Sequence, residues 1–129
     1  MLRILLVEDN GADARLTGEI LKETGIEHEL VWFNEGDKAL DHLRTDQDFG
    51  LFIIDLNLPK ASGLEVVAAL RRMGRFSKTP VVIMTGSLSP ADRSIAGGDH
   101  LLHYIIKPMS MDEIDRTVLQ IKNIIQGIK

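Results

Sequence analysis

Short apolar runs alternate along the chain with stretches whose apolar residues recur at helical spacing. That alternation predicts an α/β domain with a parallel sheet covered by helices on both faces. Residues Ile4 to Val7 form the first predicted strand, which stops at the polar cluster Glu8-Asp9-Asn10-Gly11. A helix follows with Ala14, Leu16, Ile20 and Leu21 on one side, closed by Gly25. His28 to Phe33 predicts a second strand, Asn34-Glu35-Gly36 a turn, and Ala39, Leu40 and Leu43 a short helix. Leu51 to Ile54 is apolar at every position, as a central parallel strand must be, and it ends at Asp55. Beyond a loop from Leu58 to Gly63, residues Leu64, Val66, Val67 and Leu70 recur at helical spacing up to Met73. Pro80 opens a fourth strand, Val81 to Met84, which Thr85-Gly86-Ser87 terminates. Ser89 and Pro90 suit the cap and first position of another helix, broken by Gly97-Gly98. Leu102 to Ile106 is the fifth strand. The last helix starts at Ser110, with Glu113 in a capping-box position and Ile114, Val118, Ile121 and Ile125 on one face. The expectation is a doubly wound sheet of five parallel strands with five helices.

Composition narrows the class. With 129 residues the chain is expected to be a single domain, 1–129, with no effector domain attached. Hydrophobic residues at 44% and charged residues at 26% argue against disorder. A net charge of −4 argues against nucleic acid and anionic membrane as partners. The apolar start is too short for a signal peptide and no run is long enough to span a bilayer. The absence of cysteine excludes disulfides, thiol catalysis and cysteine zinc sites, and a cytoplasmic location is expected.

In a doubly wound sheet the functional crevice lies where the strands end at their carboxyl side, and the residues there are chemically selective. The first strand ends in Glu8-Asp9, the third in Asp55, the fourth in Thr85 and the fifth in Lys107. Three carboxylates converging on one crevice repel unless some hold a proton or a cation sits among them. A divalent metal is the simpler answer, and Mg²⁺ suits a set of carboxylates, a main-chain carbonyl and a phosphate. With it in place, an Asp55 oxygen can attack phosphorus in line, Thr85 can donate its hydroxyl to a phosphoryl oxygen, and Lys107 supplies a point charge. Singly, each residue has a plainer reading: Asp9 and Asn10 as helix caps, Thr85 as a loop residue, Lys107 as a solvated charge. Their convergence on one sheet edge favours the chemical reading.

These residues carry a resemblance over essentially the whole length: the chain resembles the receiver domains of bacterial two-component response regulators, including the single-domain chemotaxis type. The matching pattern is Glu8-Asp9, Asp55 with Pro59 and Gly63, Thr85, and Lys107-Pro108. The resemblance implies a flavodoxin-like strand order 2-1-3-4-5, phosphorylation of Asp55 by a histidine kinase, and Mg²⁺ held by Glu8, Asp9, Asp55 and the Asn57 carbonyl. It implies further that Thr85 and Tyr104 are switch residues, that the Lys107–Pro108 bond is cis, and that output passes to a downstream protein or phosphotransfer partner. Such a protein phosphorylates and dephosphorylates itself but is not an enzyme in the turnover sense. The run Val7 to Asn10 with Asp13 and Leu16, and Leu56-Asn57-Leu58-Pro59-Lys60, is similar to stand-alone regulators that partner bacterial phytochromes, although Gly11 and Ser62 replace their usual proline and aspartate.

His100-Leu101 stands where receivers usually carry Gly-Ala, and this leads to an expectation of exposed Leu101 and Leu102 and of a homodimer through that region and the last helix. On a strand His100 and His103 would face opposite sides, which disfavours a metal role, and His28 and His42 read as surface residues. Asn57 and Ser87 flank the pocket and are candidates for setting how readily water attacks. Two other functions compete. A haloacid-dehalogenase-like phosphatase would need a second acid where Asn57 stands, and a phosphate-independent pseudo-receiver would lack the acidic pocket or Lys107.

Overall fold

The computed structural model describes residues 1–45, 48–86 and 99–128. Five strands, β1 (Leu2–Val7), β2 (His28–Phe33), β3 (Leu51–Asp55), β4 (Val81–Thr85) and β5 (Leu102–Ile106), form one sheet in the order β2-β1-β3-β4-β5. Every pairing is parallel. Among the described residues the helices are α1 (Gly11–Glu23), α2 (Gly36–Leu43), α3 (Gly63–Arg72) and α4 (Met111–Gln126), with a 3₁₀ turn at Gly74–Phe76. The helix expected from Ser89 to Gly97-Gly98, and Ser87, lie outside the described residues.

Alternation along the strands divides the core. Leu5, Val7, Phe52, Ile54, Val81 and Ile83 pack against Ala39 and Leu43 of α2 and Val66, Val67 and Leu70 of α3. The intervening Ile4, Leu6, Leu51, Ile53, Val82 and Met84 pack against Ile20 and Leu21 of α1 and Ile121 and Ile125 of α4. All five residues of β3 and of β4 are buried, which is why those segments show no polar alternation in the sequence.

Local chemistry sets the helix ends. Asn10 caps α1, its side-chain oxygen accepting from Ala12 N and Asp13 N, and Gly25 leaves the helix with a φ of 73°, a region open to glycine. Ser110 caps α4 by accepting from Glu113 N, while the Glu113 carboxylate accepts from Met109 N, the neighbour of the cap rather than the cap itself.

Three expectations need correction. The Lys107–Pro108 bond is trans, since no peptide bond among the described residues is cis; trans is the intrinsically preferred form, and Lys107 reaches its carboxylate partners with it. Leu101 and Leu102 are half-buried rather than exposed, because Leu102 joins the core layer beneath α3. His42 is not a surface residue: its ring lies 5.1 Å from that of Phe33 and 6.1 Å from that of Phe49, and its buried Nε2 has no hydrogen-bond partner among the described residues.

The amino end of the β4–β5 pair is closed by Arg71 of α3. Its Nε meets Asp99 Oδ2 at 2.7 Å, and its Nη1 donates to the carbonyls of Phe76 at 2.8 Å and Thr79 at 2.6 Å. Asp99 Oδ1 accepts in addition from Leu101 N at 3.0 Å.

Candidate functional site

The carboxyl ends of β1, β3, β4 and β5 deliver Glu8, Asp55, Thr85 and Lys107 to a single crevice. Parallel register does this directly, because Val7 pairs with Ile54, Asp55 with Met84, and Thr85 with Ile106. β1 from Ile4 onward, β3 and β4 stay apolar and buried until they leave the two helix layers, and the residue that ends each run, Glu8, Asp55 or Thr85, is polar.

The β3–α3 connection is pinched close to Asp55. Gly63 N donates to Leu56 O at 2.8 Å, and Asn57 bridges Ser62. A Cβ on Gly63 would stand 2.4 Å from the Asp55 carbonyl oxygen and 3.0 Å from the Leu56 Cα, so only glycine lets α3 begin this near the end of β3. The pinch holds Asn57 over the crevice, where its amide N–H donates to Asp55 Oδ1 at 3.2 Å and its side-chain nitrogen to Thr85 Oγ1 at 3.5 Å. Within the loop, Lys60 is tied to Glu35 at 2.8 Å, anchoring the connection to the start of α2.

Glu8, Asp9 and Asp55 each offer a carboxylate oxygen within 4.8 Å of the others. Glu8 and Asp55 are buried whereas Asp9 is exposed, so the cluster opens to solvent on the Asp9 side. An all-oxygen donor set of this charge fits a hard divalent cation. Lys107 Nζ lies 2.8 Å from Glu8 Oε1, 2.9 Å from Asp13 Oδ2 and 3.4 Å from Asp55 Oδ2. Its backbone N–H donates to Thr85 O at 2.7 Å, which places the ammonium stem.

Crowding shows in the electrostatics. Burial raises the Glu8 carboxyl, the Lys107 hydrogen bond opposes the rise, and Asp55 adds to it, leaving Glu8 pushed up to about 7. Burial disfavours the Lys107 charge, but hydrogen bonds to Asp13 and Glu8 and the fields of Glu8 and Asp55 outweigh it and shift that group upward.

The sequence-derived residues Glu8, Asp9, Asp55, Asn57, Thr85 and Lys107 therefore meet in one place. Tyr104, half-buried on edge strand β5, packs on the layer beneath α3 and lines an open cavity of about 310 Å³ with Ile106, Lys107, Glu113 and Arg116. Sequence reasoning missed two participants. Asp13 contacts Lys107 directly, and the only tryptophan, Trp32, donates its indole N–H to the Glu8 carbonyl at 2.8 Å. For Asp13 a signal existed, since an acid three residues after a cap that sits at the crevice faces back toward it. For Trp32 there was none, because only the β1–β2 pairing brings residue 32 beside residue 8.

Comparison with known proteins agrees with this geometry. Residues 4–119 match the family model of the response regulator receiver domain. The chain is 39% identical over 124 residues to the probable methanogenesis regulatory protein FilR2 of Methanothrix harundinacea, covering 92% of this chain and 80% of that protein. The Mn²⁺-bound form of response regulator Rcp1 superposes with a TM-score of 0.81 at 32% identity, covering 95% of this chain and 93% of that one. The phosphorylated cyanobacterial phytochrome response regulator RcpA superposes with a TM-score of 0.85 at 30% identity, covering 99% and 96%. With its parallel sheet, its acidic crevice and a family match spanning most of its length, this chain belongs to the response regulator receiver domains of two-component signalling.

Proposed function

We propose that this receiver accepts a phosphoryl group from a histidine kinase on Asp55, with Mg²⁺ held by Glu8, Asp9, Asp55 and the Asn57 carbonyl, and signals through protein contacts. One observation carries the reading: an ammonium, Lys107, stands 3.4 Å from a buried carboxylate, Asp55, whose other neighbours are two further acids able to hold a cation. An Asp55 oxygen attacks phosphorus, the bond from phosphorus to the donor's imidazole nitrogen breaks, and the nitrogen keeps the electron pair. Bound Mg²⁺ supplies positive charge toward the phosphoryl oxygens. Lys107 offsets the remaining charge, and Thr85, held by Asn57, donates its hydroxyl to a phosphoryl oxygen. The phosphorylated state of RcpA and the Mn²⁺ in Rcp1 are of the same kind.

The product is an acyl phosphate that the chain itself forms and hydrolyses, so its output is binding and not turnover. A bacteriophytochrome is the favoured kinase, by likeness to RcpA, and the reaction is assigned to the cytoplasm. Thr85 and Tyr104 are assigned the switch, which passes from the crevice along β4 and β5. The exposed apolar side chains that suit a homodimer or a downstream partner are Ile106, Met109, Met111 and Leu119, rather than Leu101 and Leu102.

Intact mass after incubation with acetyl phosphate and Mg²⁺ tests the reading. The natural chain is expected to gain one phosphoryl group and Asp55→Asn none; equal labelling of both would remove Asp55 from its role.

A further inference from the structure

The Lys107 ammonium has three hydrogens and three carboxylate neighbours, and it does not share them evenly. Its contacts to Glu8 and Asp13 are 2.8 and 2.9 Å, whereas Asp55 lies at 3.4 Å. Glu8 and Asp55 belong to the cation cluster; Asp13 does not. Asp13 is also the most accessible of the three, with its side chain 39% accessible against 3% for Glu8 and 7% for Asp55. It is fixed in the first turn of α1 by the Asn10 cap, whose Oδ1 accepts from Asp13 N at 3.1 Å.

An ammonium and a divalent cation compete for the same carboxylate oxygens, because each uses them to offset its own charge. Every N–H directed at Asp13 is one withdrawn from Glu8 and Asp55. We propose that Asp13 is a positioning residue: by drawing the Lys107 ammonium to the α1 side of the crevice, between itself and Glu8, it keeps Asp55 open to the divalent cation. The role rests on the phospho-acceptor reading of Asp55. It also gives the ammonium a place to rest when a cation enters, within reach of the crevice for the phosphoryl group that follows. Without Asp13, Lys107, already on Glu8, closes onto Asp55 as well, and an incoming cation must displace it.

Titration with Mg²⁺, read by calorimetry and by fluorescence of Trp32, tests this without reference to phosphorylation, since the Trp32 indole is bonded to the Glu8 carbonyl. Asp13→Asn is expected to weaken Mg²⁺ binding roughly three- to tenfold, and the same change made on Lys107→Met to alter it by less than about twofold. Unchanged affinity in Asp13→Asn would overturn the proposal. So would an equal loss in both backgrounds, which would mean that the Asp13 charge acts on the cation directly. Labelling of the natural chain by acetyl phosphate keeps the two readings apart. If the chain labels and the cycle shows no coupling, only Asp13 loses its role; if it does not label, the Asp55 reading falls and takes the positioning role with it.

Discussion

Two cations of nearly equal burial stand at opposite ends of the β4–β5 pair: the Arg71 side chain is 17% accessible and that of Lys107 is 19%. Burial therefore cannot be what separates them. Among the described residues Arg71 faces one carboxylate, Asp99, and two main-chain carbonyls, so its charge is matched there and its donors are directed in a fixed planar fork. Lys107 faces Glu8, Asp13 and Asp55, with Asp9 nearby, so one positive charge sits among four acids. The acids register the difference. Burial acts to raise the Asp99 carboxyl, yet the hydrogen bonds from Arg71 and Leu101 outweigh it and hold Asp99 below its usual range, whereas Glu8 is pushed up to about 7. A balanced pair locks the fold; an unbalanced cluster leaves negative charge that a bound cation can offset.

Breaking the lock should have the largest effect. Arg71→Met removes the guanidinium from the Asp99 carboxylate, leaving it the Leu101 N–H alone against its charge, and takes the Arg71 donor from the Phe76 and Thr79 carbonyls; a loss of about 3 kcal/mol is expected in urea unfolding. Added Mg²⁺ should not recover it, because no cation cluster lies at that end among the described residues.

Lys107→Met removes the only cation bonded to the acidic cluster among the described residues, at an expected cost of about 2 kcal/mol in the absence of metal. Here Mg²⁺ should restore much of the loss, since a divalent ion replaces the missing charge and stabilises the folded form by binding it. Equal recovery, or equal failure to recover, in the two variants would erase the distinction between the two ends.

How far these two ends could be read from the sequence differs for a physical reason. Glu8, Asp55 and Thr85 each mark where a buried stretch of parallel strand leaves its helix cover, so the apolar run and its polar stop announce them, and Lys107 stands at the matching end of the half-buried edge strand β5. The Arg71–Asp99 lock joins residues 28 apart with no such marker, since an arginine in the last turn of a helix reads equally well as solvated. The misreading of His42 has the same origin. It flanks the Ala39 and Leu43 face of α2, and the approach of Phe33 from β2 and of Phe49 from the connection before β3 encloses it. Long-range packing decided all of these, and period alone does not report it.

Neutralising one acid at each end should give opposite signs. Asp55→Asn relieves repulsion in the cluster and is expected to stabilise the metal-free chain by about 1 kcal/mol, visible as a higher unfolding midpoint. Asp99→Asn removes a matched partner of Arg71 and is expected to destabilise it. Two changes of the same sign would mean that the crevice acids are as well compensated as the lock.

The smallest effect is the dependence of that imbalance on pH. Glu8 is raised from 4.5 to about 7 in the folded chain, so between those values the folded form holds a proton that the unfolded form has lost. The stability this adds is complete below pH 4.5 and is lost as pH rises through 7. Asp99 is displaced the other way from 3.8, so its contribution is present above that value and is lost as pH falls through its lower folded-state value. Comparing the metal-free natural chain with Glu8→Gln isolates the first group, because every other titration is shared. Between pH 6.5 and 5.5 the natural chain should gain on the variant by roughly 1 kcal/mol or less per pH unit. A gap that stayed flat would show Glu8 fully charged and satisfied by Lys107, which would make the crevice a second balanced lock with no charge left for a cation to complete.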